Sequence, residues 1–406
     1  MGNQKGHLMK ILLGADQYPE YINGAANFTA RLATGLAGAG HTVDLLWPSA
    51  DGVHQTYLDR GVRIHRLSSI ALPGRPRMQV CPPWSAARQV EQILQIARPD
   101  VVHVQSHLSL GRTVLRAAKA AGVPVMATNH FMPENLVHHV PLVRQFPDLA
   151  ARVAWRDLER VFAGADLITA PTQRAVDLLA GATDLAPARV ISCGIDLSHY
   201  ARVGTPPIQP GPNVLFVGRL EQEKHVDELL AAFALLPPSL GARLEIVGMG
   251  SLRSQLESRV VDLGLGKVVR FAGAVSDTEL LQAYGRADVF VMPGTAELQS
   301  LATLEAMAAG RPVVAADAMA LPHLVHHDVN GYLYQPGDVA ELARRLTSLI
   351  RDPALRARLG EASLQIAEQH SLSRTLSAFQ ECYDRIVKTH QISALTSADD
   401  ELVMVS

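Results

Sequence analysis

Four charged side chains stand at spacings that two kinds of chemistry would use. Arg219 and Lys224 lie in Gly218–Lys224 (GRLEQEK), directly after the apolar run Val214–Gly218. A guanidinium and an ammonium at that spacing make a two-pronged cationic clamp, which suits a pyrophosphate through charge-assisted hydrogen bonds. A solvated basic pair has the same appearance in isolation; the place after a strand favours the clamp. Glu297 and Glu305 form the second pair, with seven residues between them, within Pro293–Asp317, PGTAELQSLATLEAMAAGRPVVAAD. Glu297 precedes an apolar helix, and Glu305 falls at its head or about two turns in, depending on where Ser300 caps it. One carboxylate can accept from sugar hydroxyls and the other from the two hydroxyls of a ribose. The free amides of the Ser300–Ala302 turn, Leu301 included, would face phosphate oxygens. As a surface acid and a helix-surface charge the pair would be unremarked, but Glu305 sits inside Leu304–Ala309 (LEAMAA), where an unpaired carboxylate is costly.

Glycines complete the set. Gly24, in Gln17–Asn27 (QYPEYINGAAN), would let backbone approach a phosphate or sugar at a helix N-terminus, although an ordinary turn glycine fits there too. Gly248-Met249-Gly250 is a tight turn that keeps side chains away from a ligand without being diagnostic.

Short apolar runs position these residues. They recur at Lys10–Leu13, Val43–Trp47, Val62–Arg66, Val101–Gln105, Val123–Thr128, Asp166–Ala170 and Val190–Cys193. A second series follows at Val214–Gly218, Leu244–Gly248, Val268–Ala272, Asp288–Met292, Val313–Ala316 and Tyr332–Tyr334. Runs of this kind predict buried strands. Stretches with helical spacing between them, such as Asn27–Ala39 and Val226–Leu236, make the class α/β with parallel sheets. The Pro-rich segment Asp196–Asn213 reads as a linker between two Rossmann-like halves. Such sheets bind ligands beyond the carboxyl ends of their strands, so a cleft between the halves is expected.

Composition narrows the function classes. At roughly 150 residues per domain, 406 residues give two to three domains, and 48% hydrophobic content excludes extensive disorder. A net charge of −2 excludes a uniformly basic nucleic-acid binder. Cys81, Cys193 and Cys382 are too far apart for a disulfide scaffold or a CxxC site. No spanning helix or signal peptide is evident, so a cytoplasmic location is expected. The charge is uneven. Residues 1–130 hold 13 Lys and Arg against 7 Asp and Glu, with five arginines and His65 in Arg60–Arg77 and Trp84 shortly after. That suggests an anionic ligand or an anionic membrane surface, with a solvated Arg-rich loop as the alternative.

E-x7-E followed by AMAAGRPVVA, with GRLEQEK upstream, resembles the retaining glycosyltransferases of family 4 with the GT-B fold. INGAAN, GHTVDLL, RPDVVHVQSH, APTQRAVDLL, Cys193–Asp196 and Asn330–Leu333 (NGYL) fall in the order of that family. The resemblance implies a hexosyltransferase with two Rossmann-like parallel-sheet domains facing a central cleft. Residues 1–196 would bind the acceptor and 213–370 the nucleotide sugar. A helix at 371–390 would cross back to the N-domain, and 391–406 would be a flexible tail. Arg219 and Lys224 match the pyrophosphate binders, Glu305 the carboxylate on the ribose and Glu297 the one on donor-sugar hydroxyls. Gly24 matches the loop glycine facing the donor phosphate. His130, in Ala127–Asn135 (ATNHFMPEN), matches the histidine lining the sugar site, whereas His103 and His107 read as structural.

The resemblance further implies an NDP-sugar donor, a UDP-sugar slightly preferred over a GDP-sugar, with no cofactor and no metal. No Asp-x-Asp is found in the core. Transfer would be front-face, the leaving phosphate taking the acceptor's proton. The pattern is closest to bacterial diacylglycerol glucosyltransferases and phosphatidylinositol mannosyltransferases, which favours a lipid acceptor and a peripheral place on the inner face of the cell membrane. A soluble acceptor and a catalytically silent binding module remain as other readings; no nucleic acid and no obligate protein partner are expected. Three positions depart from the family: Gln299-Ser300 replaces Phe-Gly, Gly24-Ala25 replaces Gly-Gly, and His323 stands where many have Glu. Gln at the first position does occur in glycolipid-forming relatives.

Overall fold

The computed structural model describes residues 8–17, 24–72, 75–133, 146–201 and 211–404, with side chains described for all of these except 75–78, 394 and 397–404. The chain separates into two compact units. The first takes the described residues of Met1–Pro133, Leu142–Ile191 and Thr375–Ser406, and the second those of Ser192–Arg374.

In the first unit the strands are β1 (Lys10–Gly14), β2 (Thr42–Pro48), β3 (Gln55–Asp59), β4 (Val62–Leu67), β5 (Ile70–Leu72), β6 (Arg75–Val80), β7 (Val101–Val104), β8 (Val125–Thr128), β9 (Leu167–Ala170) and β10 (Arg189–Val190). Eight form one sheet in the order β10-β9-β8-β7-β1-β2-β4-β3. All its pairs are parallel except β3–β4. Every residue of β7 and β8 is buried, as near-continuous apolar runs in a sheet covered on both faces require. The helices are α1 (Gly24–Gly38), α2 (Pro83–Ala97), α3 (Ser109–Ala120), α4 (Pro147–Phe162) and α5 (Gln173–Ala182). Phe28, Leu32 and Leu36 of α1 recur every four residues and are buried, so one stripe of the helix meets the core.

β3 and the antiparallel β5–β6 hairpin lie outside the apolar runs of the sequence. Both are polar or exposed, so neither leaves an apolar signature. The arginine-rich run Arg60–Arg77 falls across β4 and this hairpin, and its described basic side chains have partners. Arg63 Nη1 lies 3.3 Å and His65 Nε2 2.8 Å from Asp44 Oδ1. Arg66 Nε donates to Tyr57 Oη at 3.1 Å, and Arg60 Nε lies 3.4 Å from Asp59.

In the second unit the sheet has six parallel strands: β11 (Asn213–Val217), β12 (Arg243–Val247), β13 (Val269–Gly273), β14 (Val289–Met292), β15 (Val313–Ala316) and β16 (Gly331–Tyr334). Their order, β13-β12-β11-β14-β15-β16, is the doubly wound 3-2-1-4-5-6 order, which reverses direction between β11 and β14. Around it lie α6 (Leu197–Ala201), α7 (Val226–Ala234), α8 (Arg253–Asp262), α9 (Asp277–Arg286), α10 (Leu301–Ala308), α11 (Leu321–Leu324), α12 (Val339–Arg351) and α13 (Pro353–Gln369). The linker segment of the sequence begins as α6, and 202–210 lie outside the described residues.

The last helix, α14, runs from Leu372 to Met404. No Gly or Pro interrupts it, so it continues past residue 390, where the sequence suggested a flexible tail. Its Phe379, Cys382 and Tyr383 are buried in the first unit.

Candidate functional site

The loops after β11 and β14 flank the point where the strand order reverses, the usual ligand position in such sheets. These two loops carry Arg219, Lys224 and Glu297. The first is held against the turn after β12. Gly218 N–H donates to Val247 O at 3.0 Å and Leu220 N–H to Met249 O at 2.9 Å. Contact is so close that a Cβ on Gly248 would lie 1.8 Å from the Gly218 carbonyl oxygen, and one on Gly250 2.2 Å from that of Leu220. Gly248 also has φ +138°, which disfavours any side chain.

After Leu220 the chain makes a 3₁₀ turn, Gln222–Lys224, and His225 ends it in the left-handed region at φ 46°. This turn directs two ion pairs. Arg219 Nη2 donates to Glu223 Oε1 at 2.6 Å, and Lys224 Nζ is bonded to Glu297 Oε1. The Lys224 and Glu297 side chains are only 13% and 10% exposed; Glu223 is 4% exposed and Arg219 36%. Two further bonds tie the loops together: Thr295 N–H to Glu223 O at 3.0 Å, and His225 Nε2 to Thr295 Oγ1 at 3.0 Å. Glu223 is the member the sequence reading missed. Its signal was the four-residue spacing from Arg219, which a charged run does not by itself distinguish.

Ser300 caps α10, its Oγ accepting from Thr303 N at 3.4 Å and from Thr303 Oγ1 at 2.9 Å. The helix therefore starts at Leu301, so the amides of Leu301 and Ala302 have no intrahelical acceptor. Glu305 then lies in the second turn, half-buried, with Oε2 accepting from Tyr284 Oη of α9 at 2.8 Å. The phenol is how a carboxylate inside LEAMAA is stabilised. Gln299 has both ends of its amide in use: Cys193 N–H donates to Oε1 at 2.7 Å, and Nε2 donates to Ser192 Oγ at 2.8 Å. In place of an apolar Phe, this side chain clasps the segment leading into Cys193–Asp196. Ser192 Oγ is also 3.0 Å from His370 Nδ1, and the rings of His370 and His323 are 5.3 Å apart.

Gly24 and His130 belong to the first unit. Gly24 opens α1 and is exposed. His130 follows β8, half-buried, with Nε2 3.1 Å from Gln105 Oε1 and its ring 5.1 Å from that of Phe28. Burial lowers its pKa to about 4, so the ring is neutral near pH 7. His103 is wholly buried and His107 nearly so, lowered to about 3 and about 4, chiefly by desolvation. Among the described residues no group of three or more His, Cys, Asp or Glu is gathered as metal ligands are, and no helix is long and apolar enough to cross a membrane.

Two family models match. "Glycosyl transferases group 1" covers residues 205–365 and "Glycosyltransferase Family 4" residues 22–199. The chain is 31% identical to a sulfoquinovosyl transferase of Arabidopsis thaliana over 71% of its own length, spanning 57% of the plant protein. It is 28% identical to an alpha-monoglucosyldiacylglycerol synthase of Streptococcus pneumoniae, over 80% of this chain and 75% of that one. It is 30% identical to a GDP-mannose-dependent alpha-mannosyltransferase of Mycolicibacterium smegmatis, over 76% and 80%. Among solved structures, sucrose-phosphate synthase from Thermosynechococcus elongatus superposes with a TM-score of 0.77 at 20% identity, covering 94% of this chain and all of that one. Anabaena HepE, in complex with UDP-glucose, gives 0.72 at 22% identity, covering 93% and 100%. The chain belongs to the family 4, group 1 glycosyltransferases of GT-B fold.

Proposed function

We propose that this glycosyltransferase moves a hexose from a nucleoside diphosphate sugar to a hydroxyl of a membrane lipid, with retention at the anomeric carbon and without a metal. The observation that carries the donor reading is the cluster of Arg219, Lys224, Glu297 and the α10 N-terminus at the reversal of strand order. Lys224 has three donors, so it can hold Glu297 and a phosphate oxygen together. Leu301 and Ala302 offer amides to the diphosphate, Glu305 accepts from the ribose and Glu297 from the sugar. In transfer, the bond from the anomeric carbon to the diphosphate breaks as the acceptor oxygen bonds to the same face. The acceptor's proton goes to the departing phosphate. Arg219 and Lys224 stabilise the charge growing there, and losing one such donor costs about 10²–10³ in rate.

A UDP-sugar is the preferred donor, in keeping with the UDP-glucose bound to HepE; the mannosyltransferase relative is named for GDP-mannose, so both belong in the test. The lipid acceptor draws support from the diacylglycerol named for the Streptococcus relative. It also draws on α4, where exposed Phe146, Leu149 and Val153 recur at helical spacing beside exposed Arg152, Arg156 and Arg160, a pattern suited to an anionic interface.

A thermal-shift and hydrolysis panel of UDP- and GDP-sugars tests the donor. Binding and turnover should survive EDTA and be lost in Arg219→Ala. Silence toward every sugar would leave a binding module, and an absolute metal requirement would overturn the metal-free mechanism. Flotation with anionic and neutral liposomes tests the surface; binding to neither would point to a soluble acceptor.

A further inference from the structure

One side chain of the first unit lies between two imidazoles. Gln105 follows β7, and its backbone N–H donates to Gly14 O at 2.8 Å, extending the ladder beside β1. His103 and Gln105 are two residues apart on this extended stretch, so their side chains share a face. Gln105 is 3% exposed. Its Nε2 is 3.1 Å from His103 Nε2, and its Oε1 is 3.1 Å from His130 Nε2. His103 is fixed in turn: Nδ1 lies 2.7 Å from Tyr383 Oη of α14, and Nε2 lies 2.6 Å from Thr128 Oγ1.

A carboxamide donates at one end and accepts at the other. Two Nε2 atoms at its opposite ends must therefore play opposite parts, one with a proton and one with a lone pair. Both rings are neutral near pH 7, because burial penalises the imidazolium of each. With the amide nitrogen toward His103 and its oxygen toward His130, as the structure places them, His103 accepts at Nε2 and keeps its proton on Nδ1, toward Tyr383. His130 then carries its proton on Nε2 and a lone pair on Nδ1.

We propose that Gln105 is a positioning residue for His130: it locks the imidazole as the Nε2–H tautomer and leaves Nδ1 to accept a hydrogen bond from a substrate hydroxyl. The tautomer lock stands on this geometry alone. Its use in transfer rests on the reading of His130 as a sugar-site residue.

The full-length chain labelled with ¹⁵N-histidine tests both parts. NMR at pH 7 should show His130 as a single Nε2–H tautomer, assigned by its loss in His130→Asn. Gln105→Leu should replace that signal with a tautomer mixture. Gln105→Glu accepts at both ends, so it keeps the bond to His130. Its carboxylate should raise the ring's titration above pH 4; the other described groups facing His130 are the Phe28 ring and, across Gln105, neutral His103. With UDP-glucose as donor, kcat should fall about 10²-fold in Gln105→Leu. Gln105→Glu should restore much of it at high pH and lose it as the pH drops through the raised value. A wild-type Nδ1–H signal, or an Nε2–H signal that persists in Gln105→Leu, would overturn the lock. The first of these does not depend on Gln105→Leu and holds even if that variant does not fold. A lock that is present, broken by Gln105→Leu and without effect on kcat would instead overturn the role of His130 in transfer.

Discussion

Glu297→Gln perturbs the largely buried pair of Lys224 and Glu297. The substitution keeps the shape and removes one charge, leaving Lys224 as a largely buried ammonium. The carboxylates of the Lys224 loop are already bonded, Glu223 to Arg219 and Glu221 to Ser251. Removing one partner of a buried pair costs about 3–5 kcal/mol. Lys224 retains 13% exposure, so the lower figure, about 3 kcal/mol, applies. For a unit of this size each kcal/mol shifts the melting temperature by roughly 2–4 °C, so the variant should melt about 6–12 °C lower. Adding Lys224→Met removes the stranded charge and should recover much of that loss, a coupling of about 2 kcal/mol between the two sites. UDP provides the third arm. Its diphosphate would replace the missing negative charge, so it should raise the melting temperature of Glu297→Gln by more than that of the wild type. Differential scanning fluorimetry reads all three. A Glu297→Gln shift under 2 °C, or a double variant as unstable as the sum of the singles, would refute the pair's role in holding Lys224. An equal UDP response would refute the placing of Lys224 against the diphosphate.

The two family carboxylates should separate kinetically. Glu305→Ala should raise donor KM, because ribose contacts are ground-state binding, whereas Glu297→Ala should mainly lower kcat; identical effects in steady-state assays would contradict separate roles. Acid should destabilise the first unit early. His103, His107 and His130 have folded pKa values of about 3, 4 and 4 against 6.5 unfolded, so stability complete above pH 6.5 is lost as pH falls toward 4, by about 1.4 kcal/mol per pH unit for each ring. A melting temperature unchanged between pH 7 and pH 5 would contradict this. Gly248→Ala should cost about 2 kcal/mol or more in stability and weaken UDP binding measured by calorimetry, since its Cβ would force the Gly218 carbonyl, and Arg219 with it, out of place.

The parallel strands are legible in the sequence because a sheet covered on both faces needs near-continuous apolar runs, and β14 and β15 have them. β3 and the β5–β6 hairpin are not, because β3 has only exposed and half-buried positions, β6 (RPRMQV) is polar in sequence and no apolar run marks them. Spacing exposed Arg219, Lys224, Glu297 and Glu305. It could not show Glu223 as a counter-ion, which depends on the 3₁₀ turn at Gln222–Lys224, nor the clasp of Gln299 on Ser192, 107 residues away. Charge counting was the weakest guide. The basic run Arg60–Arg77 looks like a patch on paper, yet Asp44, 19 residues from Arg63 and 21 from His65, is bonded to both of those side chains. The exposed arginines of α4 lie elsewhere.

The pairing of each clamp cation with its own carboxylate has a consequence for affinity. An unneutralised Arg219 and Lys224 would attract a diphosphate strongly, but would repel each other in its absence at an energetic cost. With Glu223 and Glu297 in place, a diphosphate meets a site whose cations are already balanced. Its gain must come from donors still free to turn toward it: the remaining N–H groups of Lys224 and Arg219, and the Leu301 and Ala302 amides at the α10 N-terminus. These act by direction and short range rather than by net charge. On the proposed donor reading, recognition therefore depends more on the geometry fixed by the Gly248 and Gly250 turn and the Ser300 cap than on how many cations surround the site.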